Sequence, residues 1–176
     1  SPIKMCGFSG FLNFNPNWGD PLTLLQQMGD QLAHRGPDDS GVWFDNNCGV
    51  GLSHRRLSII DLSAQGHQPM ASASGRFVIA YNGEIYNHQE LRKELLQAGV
   101  VFRGGSDTEV LLAAIESWGI KQTLRRCIGM FAFSLWDKKE QTLSLVRDRM
   151  GEKPLYYGWQ GKGAKRTFLF GSELKS

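Results

Sequence analysis

The residue best suited to covalent chemistry near the start of the chain is Cys6, in the run Met5-Cys6-Gly7-Phe8-Ser9-Gly10-Phe11. A free cysteine is most often a small buried hydrophobe. Met5 raises the reading. If Met5 is the initiator, its removal leaves Cys6 with a free α-amine, and nucleophile and base then sit on one residue. A free α-amine has a pKa of about 7.7–8.0, near working pH. On this reading residues 1–5 are an expression remnant plus the initiator, and residues 6–176 are the domain.

Three further stretches carry groups that could serve such a thiol. Asn82-Gly83 sits between two apolar runs. Its plain reading is a hairpin turn. Its chemical reading is an oxyanion hole, from the Asn82 amide and a backbone N–H left accessible by Gly83. Such donors are worth about 3–4 kcal/mol each. Arg55-Arg56 reads as a strand start, where two adjacent arginines are often a solvated edge and where neighbours point to opposite faces. One of the two can therefore clamp a carboxylate in a cleft; the pattern does not say which. Ser106-Asp107-Thr108-Glu109 reads as a capped helix start, with Ser106 as cap and Glu109 at the capping-box position. Asp107 is welcome there as a first-turn acid, or can receive a substrate ammonium.

Other candidates read as structural. The histidines at 34, 54, 67 and 88 lack metal-ligand spacing, and no metal site is expected. Cys48 and Cys127 lie in apolar surroundings and read as core. Residues 161–166 form a basic hairpin tip without phosphate-loop spacing. No Ser-Gly-Gly-x-Asp-Ser run occurs, so no ATP site is placed here. A net charge of +3, scattered along the chain, predicts no nucleic-acid partner. No apolar run is long enough for a membrane span. Three cysteines make no disulfide framework and suit a reducing cytoplasm.

The elements that must position these groups follow from pattern. Residues 6–14 read as a strand. Asp20 caps a helix with Pro21 in its first turn, buries Leu22, Leu25, Met28 and Leu32, and ends near His34. Strands follow at 41–44, 49–54 and 57–61, then a loop at 64–74. Strand 77–81 continues at 84–86 beyond Asn82-Gly83. Helices occupy 88–98, with Leu91, Leu95 and Ala98 on one stripe, and a stretch after Ser106 that buries Val110, Leu111, Ala114, Ile115 and Trp118. Strands at 130–136, 142–147, 155–159 and 167–171 close the chain, with Asp137 to Glu140 as a charged turn. Without regular βαβ alternation, the expected fold is α+β, two mainly antiparallel sheets with helices outside.

Several stretches in order carry a family resemblance: Met5-Cys6-Gly7, His34-Arg35-Gly36-Pro37-Asp38, residues 54–61, Gly66-His67-Gln68-Pro69-Met70, residues 82–87, Ser106-Asp107-Thr108-Glu109, residues 129–133, Arg147-Asp148-Arg149 with 153–157, and Ser172-Glu173-Leu174-Lys175. The chain resembles the glutaminase domain of class II glutamine amidotransferases, of asparagine synthetase type. It resembles the sugar-isomerase branch less well. The resemblance implies the four-layer αββα sandwich of N-terminal-nucleophile hydrolases. It implies that Cys6 attacks the L-glutamine carboxamide to give a thioester, then glutamate and ammonia. It gives the oxyanion hole to Asn82 and Gly83 and the substrate carboxylate to Arg56. It gives the substrate ammonium to Glu84 and Asp107, with backbone at Ile59 and Ile60 lining the pocket. It implies a cytoplasmic protein with no cofactor in this domain. ATP and Mg belong to a synthetase domain following Ser176, and oligomeric state is left open. Two alternatives stay beside this reading: a catalytically silent scaffold of the same fold, and an amidotransferase for a sugar acceptor.

Overall fold

The computed structural model describes residues 5–58 and 64–174. The expectations that fall on Ile59, Ile60 and Asp61 lie outside the described residues, as do those on residues 1–4 and on Lys175 and Ser176. Among the described residues nine strands form two sheets, and every strand pair is antiparallel. Sheet A holds β2 (Asp39–Asp45), β3 (Val50–Arg56), β1 (Gly7–Leu12), β9 (Thr167–Gly171) and β8 (Tyr156–Gln160), in that spatial order. Sheet B holds β4 (Met70–Ala71), β5 (Phe77–Ile85), β6 (Gly129–Asp137) and β7 (Thr142–Arg147). Helix α1 (Pro21–Asp30) covers sheet A; α2 (His88–Gln97), α3 (Asp107–Trp118) and α4 (Ile120–Arg126) lie on the sheet B side.

Strand alternation builds three apolar layers. On β1, Phe8 faces inward to meet Leu52, Phe170, Val78, Ala80 and Ala132 between the sheets. Phe11 faces outward and packs on Leu25 and Met28 of α1. On sheet B, Ile79, Tyr81, Phe131, Phe133 and Leu135 face the helices and bury Leu91, Leu95, Leu111 and Ile115. The outcome is the expected αββα sandwich, with β1, the strand that follows Cys6, at the centre of sheet A.

Several boundaries differ, each for a local reason. Strand β1 stops at Leu12 because Asn13 takes a left-handed φ of 60°. Asp20 does cap α1, its Oδ2 accepting from Thr23 N at 2.8 Å. That helix ends at Asp30 in successive turns rather than near His34, and Leu22 on its first turn is 45% exposed. Ala98 is likewise exposed. Trp118 packs only part-buried on the core. Leu57 and Ser58 belong to no strand. Ser106 caps α3, but Glu109 turns its carboxylate to the N–H groups of Arg103 and Gly104, so the box is closed upstream of the cap. Helix α4 has no counterpart among the expectations. It starts at the same Gly119 that ends α3, and Thr123 fixes it by donating to Gly119 O at 2.8 Å.

The hairpin reading of Asn82-Gly83 is overturned. Strand β5 runs straight through both, pairing Asn82 with Ala132 and Gly83 with Phe131. Residues on both sides find their partner in one strand, β6, so tertiary pairing overrides the local turn preference. Gly83 has φ 151°, and a Cβ there would overlap the Met130 carbonyl oxygen and Phe131. Close approach of β6, and not a turn, is why glycine stands here.

The sheets are tied by a polar bond through the core. His54 on β3 is 1% exposed, and its Nε2 lies 2.8 Å from Tyr81 O on β5. Burial lowers its pKa from 6.5 to about 4, against the pull of that bond. The unfolded chain therefore binds a proton that the folded chain refuses between those values. Stability should fall as pH drops from 6.5 to about 4. The loss is about 3 kcal/mol at about 1.4 kcal/mol per unit. Urea midpoints measured at pH 7.5 and pH 4.5 should show it, and His54→Gln, which does not titrate, should lose most of that slope.

Candidate active site

Cys6 stands just before β1, where Gly7 pairs with Arg55 of β3. Its Sγ accepts from Leu57 N at 3.3 Å and lies 3.7 Å from Leu57 O. Its backbone is held firmly. Arg35 Nε donates to Cys6 O at 3.2 Å, and Arg35 Nη1 reaches Glu173 at 3.3 Å, a carboxylate also 2.8 Å from His34 Nε2. Two residues on, Phe8 exchanges bonds with Ser172, whose Oγ accepts from Phe8 N at 3.0 Å and whose N donates to Phe8 O at 2.8 Å. Burial pushes the thiol pKa up, while the Leu57 backbone and the Arg56 charge pull it down and the Asp107 charge pushes it up. Burial prevails, so the thiol is neutral at pH 7 and needs a base.

The two arginines part as strand alternation requires. Arg55 points to the α1 side, where its Nε donates to Gly29 O at 3.1 Å and its guanidinium pairs with Asp30. Arg56 takes the opposite face, that of His54 and Leu52 between the sheets. Its guanidinium lies directly on Gly66, where a Cβ would overlap Nη2. The His34–Asp38 segment supports this stretch from below: a Cβ on Gly36 would meet the Arg55–Arg56 peptide at 2.6 Å, and Asp38 N donates to Arg56 O at 3.0 Å.

Asn82 is 2% exposed on the face of β5 that carries Val78 and Ala80, toward sheet A. Among the described residues its Nδ2 has no hydrogen-bond partner. A buried amide donor without a partner is costly, and such a group is a place for a ligand atom. Asp107, the first residue of α3, returns to β5: its Oδ2 accepts from Tyr81 OH at 3.1 Å and from Ile85 N at 3.0 Å. Tyr81 is thereby a holder of Asp107. Gln68 in turn fixes β5 here, its Oε1 accepting from Tyr81 N at 2.7 Å. Glu84 is exposed near the end of β5. Its charge and that of Asp107 both raise the pKa of Tyr81, after the larger effect of burial. Arg56 and Asp107 are thus each within electrostatic reach of Cys6, and Asn82 lies on the inter-sheet face of β5.

Sequence reasoning gave no role to Arg35, Tyr81, Gln68, Asp148 or Lys153. Asp148 is 7% exposed, and its carboxylate accepts from the N–H groups of Phe131, Met150, Glu152 and Lys153. Burial pushes its pKa up, but these four donors more than offset that and hold it low. The signal available was that Arg35, Gln68, Asp148 and Lys153 lie in the quoted motifs and Tyr81 directly precedes one. Among the described residues no group of three or more His, Cys, Asp or Glu could hold a metal, and no helix is long and apolar enough to cross a membrane.

A family profile described as "Glutamine amidotransferase domain" matches residues 5–176. The chain belongs to that family. It is a class II, N-terminal-nucleophile type domain related to glutamine-hydrolysing asparagine synthetases. It is 41% identical to glutamine-hydrolysing asparagine synthetase 3 of Bacillus subtilis strain 168, over 98% of this chain and 27% of that protein. It is 39% identical to amidase chry2 of Gibberella zeae, over 98% of this chain and 26% of that protein. The amidotransferase domain therefore spans about a quarter of the length of these curated relatives. Glutamine phosphoribosylpyrophosphate amidotransferase from B. subtilis has the same fold, with a TM-score of 0.74 at 22% identity over 95% of this chain and 42% of that one.

Proposed function

We propose that the domain hydrolyses L-glutamine to glutamate and ammonia through a thioester on Cys6, and that it supplies the ammonia to an ATP- and Mg-dependent synthetase domain of asparagine synthetase type. That partner domain would follow Ser176, in a cytoplasmic protein. The observation that carries the reading is the thiol's electrostatic setting: one cation, Arg56 of β3, and one anion, Asp107 of α3, both act on it. A zwitterionic amino acid needs that pair of clamps at its α-carbon, and low local polarity strengthens both. Glu84 joins Asp107 on the ammonium.

The chemistry then needs few groups. With residue 5 gone, the Cys6 α-amine takes the thiol proton as Sγ attacks the side-chain carboxamide carbon. The oxyanion lies between Asn82 Nδ2 and Gly83 N–H. The C–N bond breaks as the α-ammonium protonates the leaving nitrogen, and ammonia departs. Water, deprotonated by the same amine, attacks the thioester; the C–S bond breaks and glutamate is released.

A chain beginning at Cys6 should release glutamate and ammonia from glutamine in equal amounts. Arg56→Ala should raise its KM by about a hundredfold, the cost of a lost charged clamp. Arg55→Ala should leave KM within about threefold, since its partners are Gly29 and Asp30 on α1. Equal effects would mean the carboxylate is held elsewhere. No turnover at all would favour the silent-scaffold reading.

A further inference from the structure

Among the described residues the mechanism leaves a buried cation unused. Lys153 is 7% exposed in the loop between β7 and β8. Its Nζ reaches the thioether Sδ of Met5 at 2.9 Å. A thioether is a weak acceptor, a poor partner for an ammonium that has left water. Among the described residues no carboxylate pairs with it. The loop is built to hold it there. Asp148 gathers the N–H groups of Met150, Glu152 and Lys153, and Arg147 Nε donates to Lys153 O at 2.6 Å. The placement matters because Met5 is the residue whose carbonyl carbon is bonded to the Cys6 nitrogen.

We propose that Lys153 tunes the base: once residue 5 is removed, its buried ammonium faces the freed α-amine of Cys6 and keeps that amine unprotonated at neutral pH. The inference rests on the reading of the Cys6 amine as the base. A neighbouring fixed cation disfavours a second positive charge, so the amine holds its proton less tightly. Other charges face the same nitrogen. Arg35 reaches Cys6 O, Arg56 comes from β3, Asp107 from α3, Glu173 acts through Arg35, and the Cys6 thiol is on the residue itself. Asp148 stands behind Lys153, with its carboxylate already held by four N–H groups. Two cations and two carboxylates among the rest oppose one another, and among the described residues no acid is ion-paired with the Lys153 ammonium. It acts through the amine, as a positioning and tuning residue.

The test uses the chain beginning at Cys6, labelled with 15N at cysteine and checked by mass. The α-nitrogen of Cys6 titrates in 15N NMR, whereas those of Cys48 and Cys127 are peptide amides and do not. The wild-type amine should titrate below the ordinary range of about 7.7–8.0. Lys153→Met should raise its pKa by about one unit and move the acid limb of kcat/KM by the same amount. That makes the variant about tenfold slower at pH 6 and equal to wild type at pH 9. Lys153→Arg should restore both. A wild-type amine at or above 8 overturns the proposal without any variant. So does a Lys153→Met loss that is uniform across pH. If the wild-type chain fails to release ammonia, the glutaminase reading fails, while the amine titration still decides the role of Lys153.

Discussion

Cys6→Ala should reduce glutamine hydrolysis at least about a thousandfold in a chain beginning at residue 6, leaving only background. Removing a covalent nucleophile costs that much or more, because every later step runs through the bond it forms. The loss should be chemical and not structural. Among the described residues Sγ hydrogen-bonds to backbone and to no side chain, and Cys6 lies outside the apolar clusters. Alanine at that site should cost about 1 kcal/mol or less. The check is ammonia release at saturating glutamine, with urea unfolding of both proteins alongside. Ammonia release retained by the variant would remove Cys6 from the mechanism.

The second large effect concerns the nitrogen of Cys6. In the intact chain that nitrogen is a peptide amide and has no useful basicity. Burial already pushes the thiol up, so its thiolate share falls below the few per cent expected of an ordinary cysteine. Among the described residues, no imidazole hydrogen-bonds to the thiol. His34 is engaged with Glu173, and His54 is committed to Tyr81 O. Met5 also stands against Lys153, where the freed amine would otherwise face that cation. The intact chain should therefore turn over glutamine at least about a hundredfold more slowly than the trimmed chain, the usual worth of a general base. Matched samples, their N-termini verified by mass spectrometry, give the comparison. Equal rates would require another base near the thiol.

The layers of the fold were legible where period and burial agree. Phe8 and Phe11, Ile79 and Tyr81, and Leu91 and Leu95 carry the pattern that sorts them to their layers. Local pattern failed where tertiary pairing decides. Asn82-Gly83 has turn chemistry, yet β6 pairs across it without a break. Leu22 keeps helical spacing but lies on the first turn of α1, beyond the reach of sheet A. In the site, alternation could say that Arg55 and Arg56 diverge. Only the position of α1, with Asp30 at its end, assigns Arg55 outward and Arg56 inward. Arg35 and Lys153 were out of reach for a similar reason. Each meets its target from far along the chain, and nothing local marks a lysine at 153 as the neighbour of residue 5.

The measurement that bears most directly on the whole account is the covalent state of Cys6 during turnover. The chain beginning at Cys6 is mixed with glutamine, quenched in acid within the first turnovers, digested and read by mass spectrometry. A γ-glutamyl increment on the peptide carrying Cys6, lost when hydroxylamine is added and absent from Cys6→Ala, is the predicted result. Glutamine consumed at full rate with Cys6 unmodified at every quench time, and no hydroxamate formed, would contradict it.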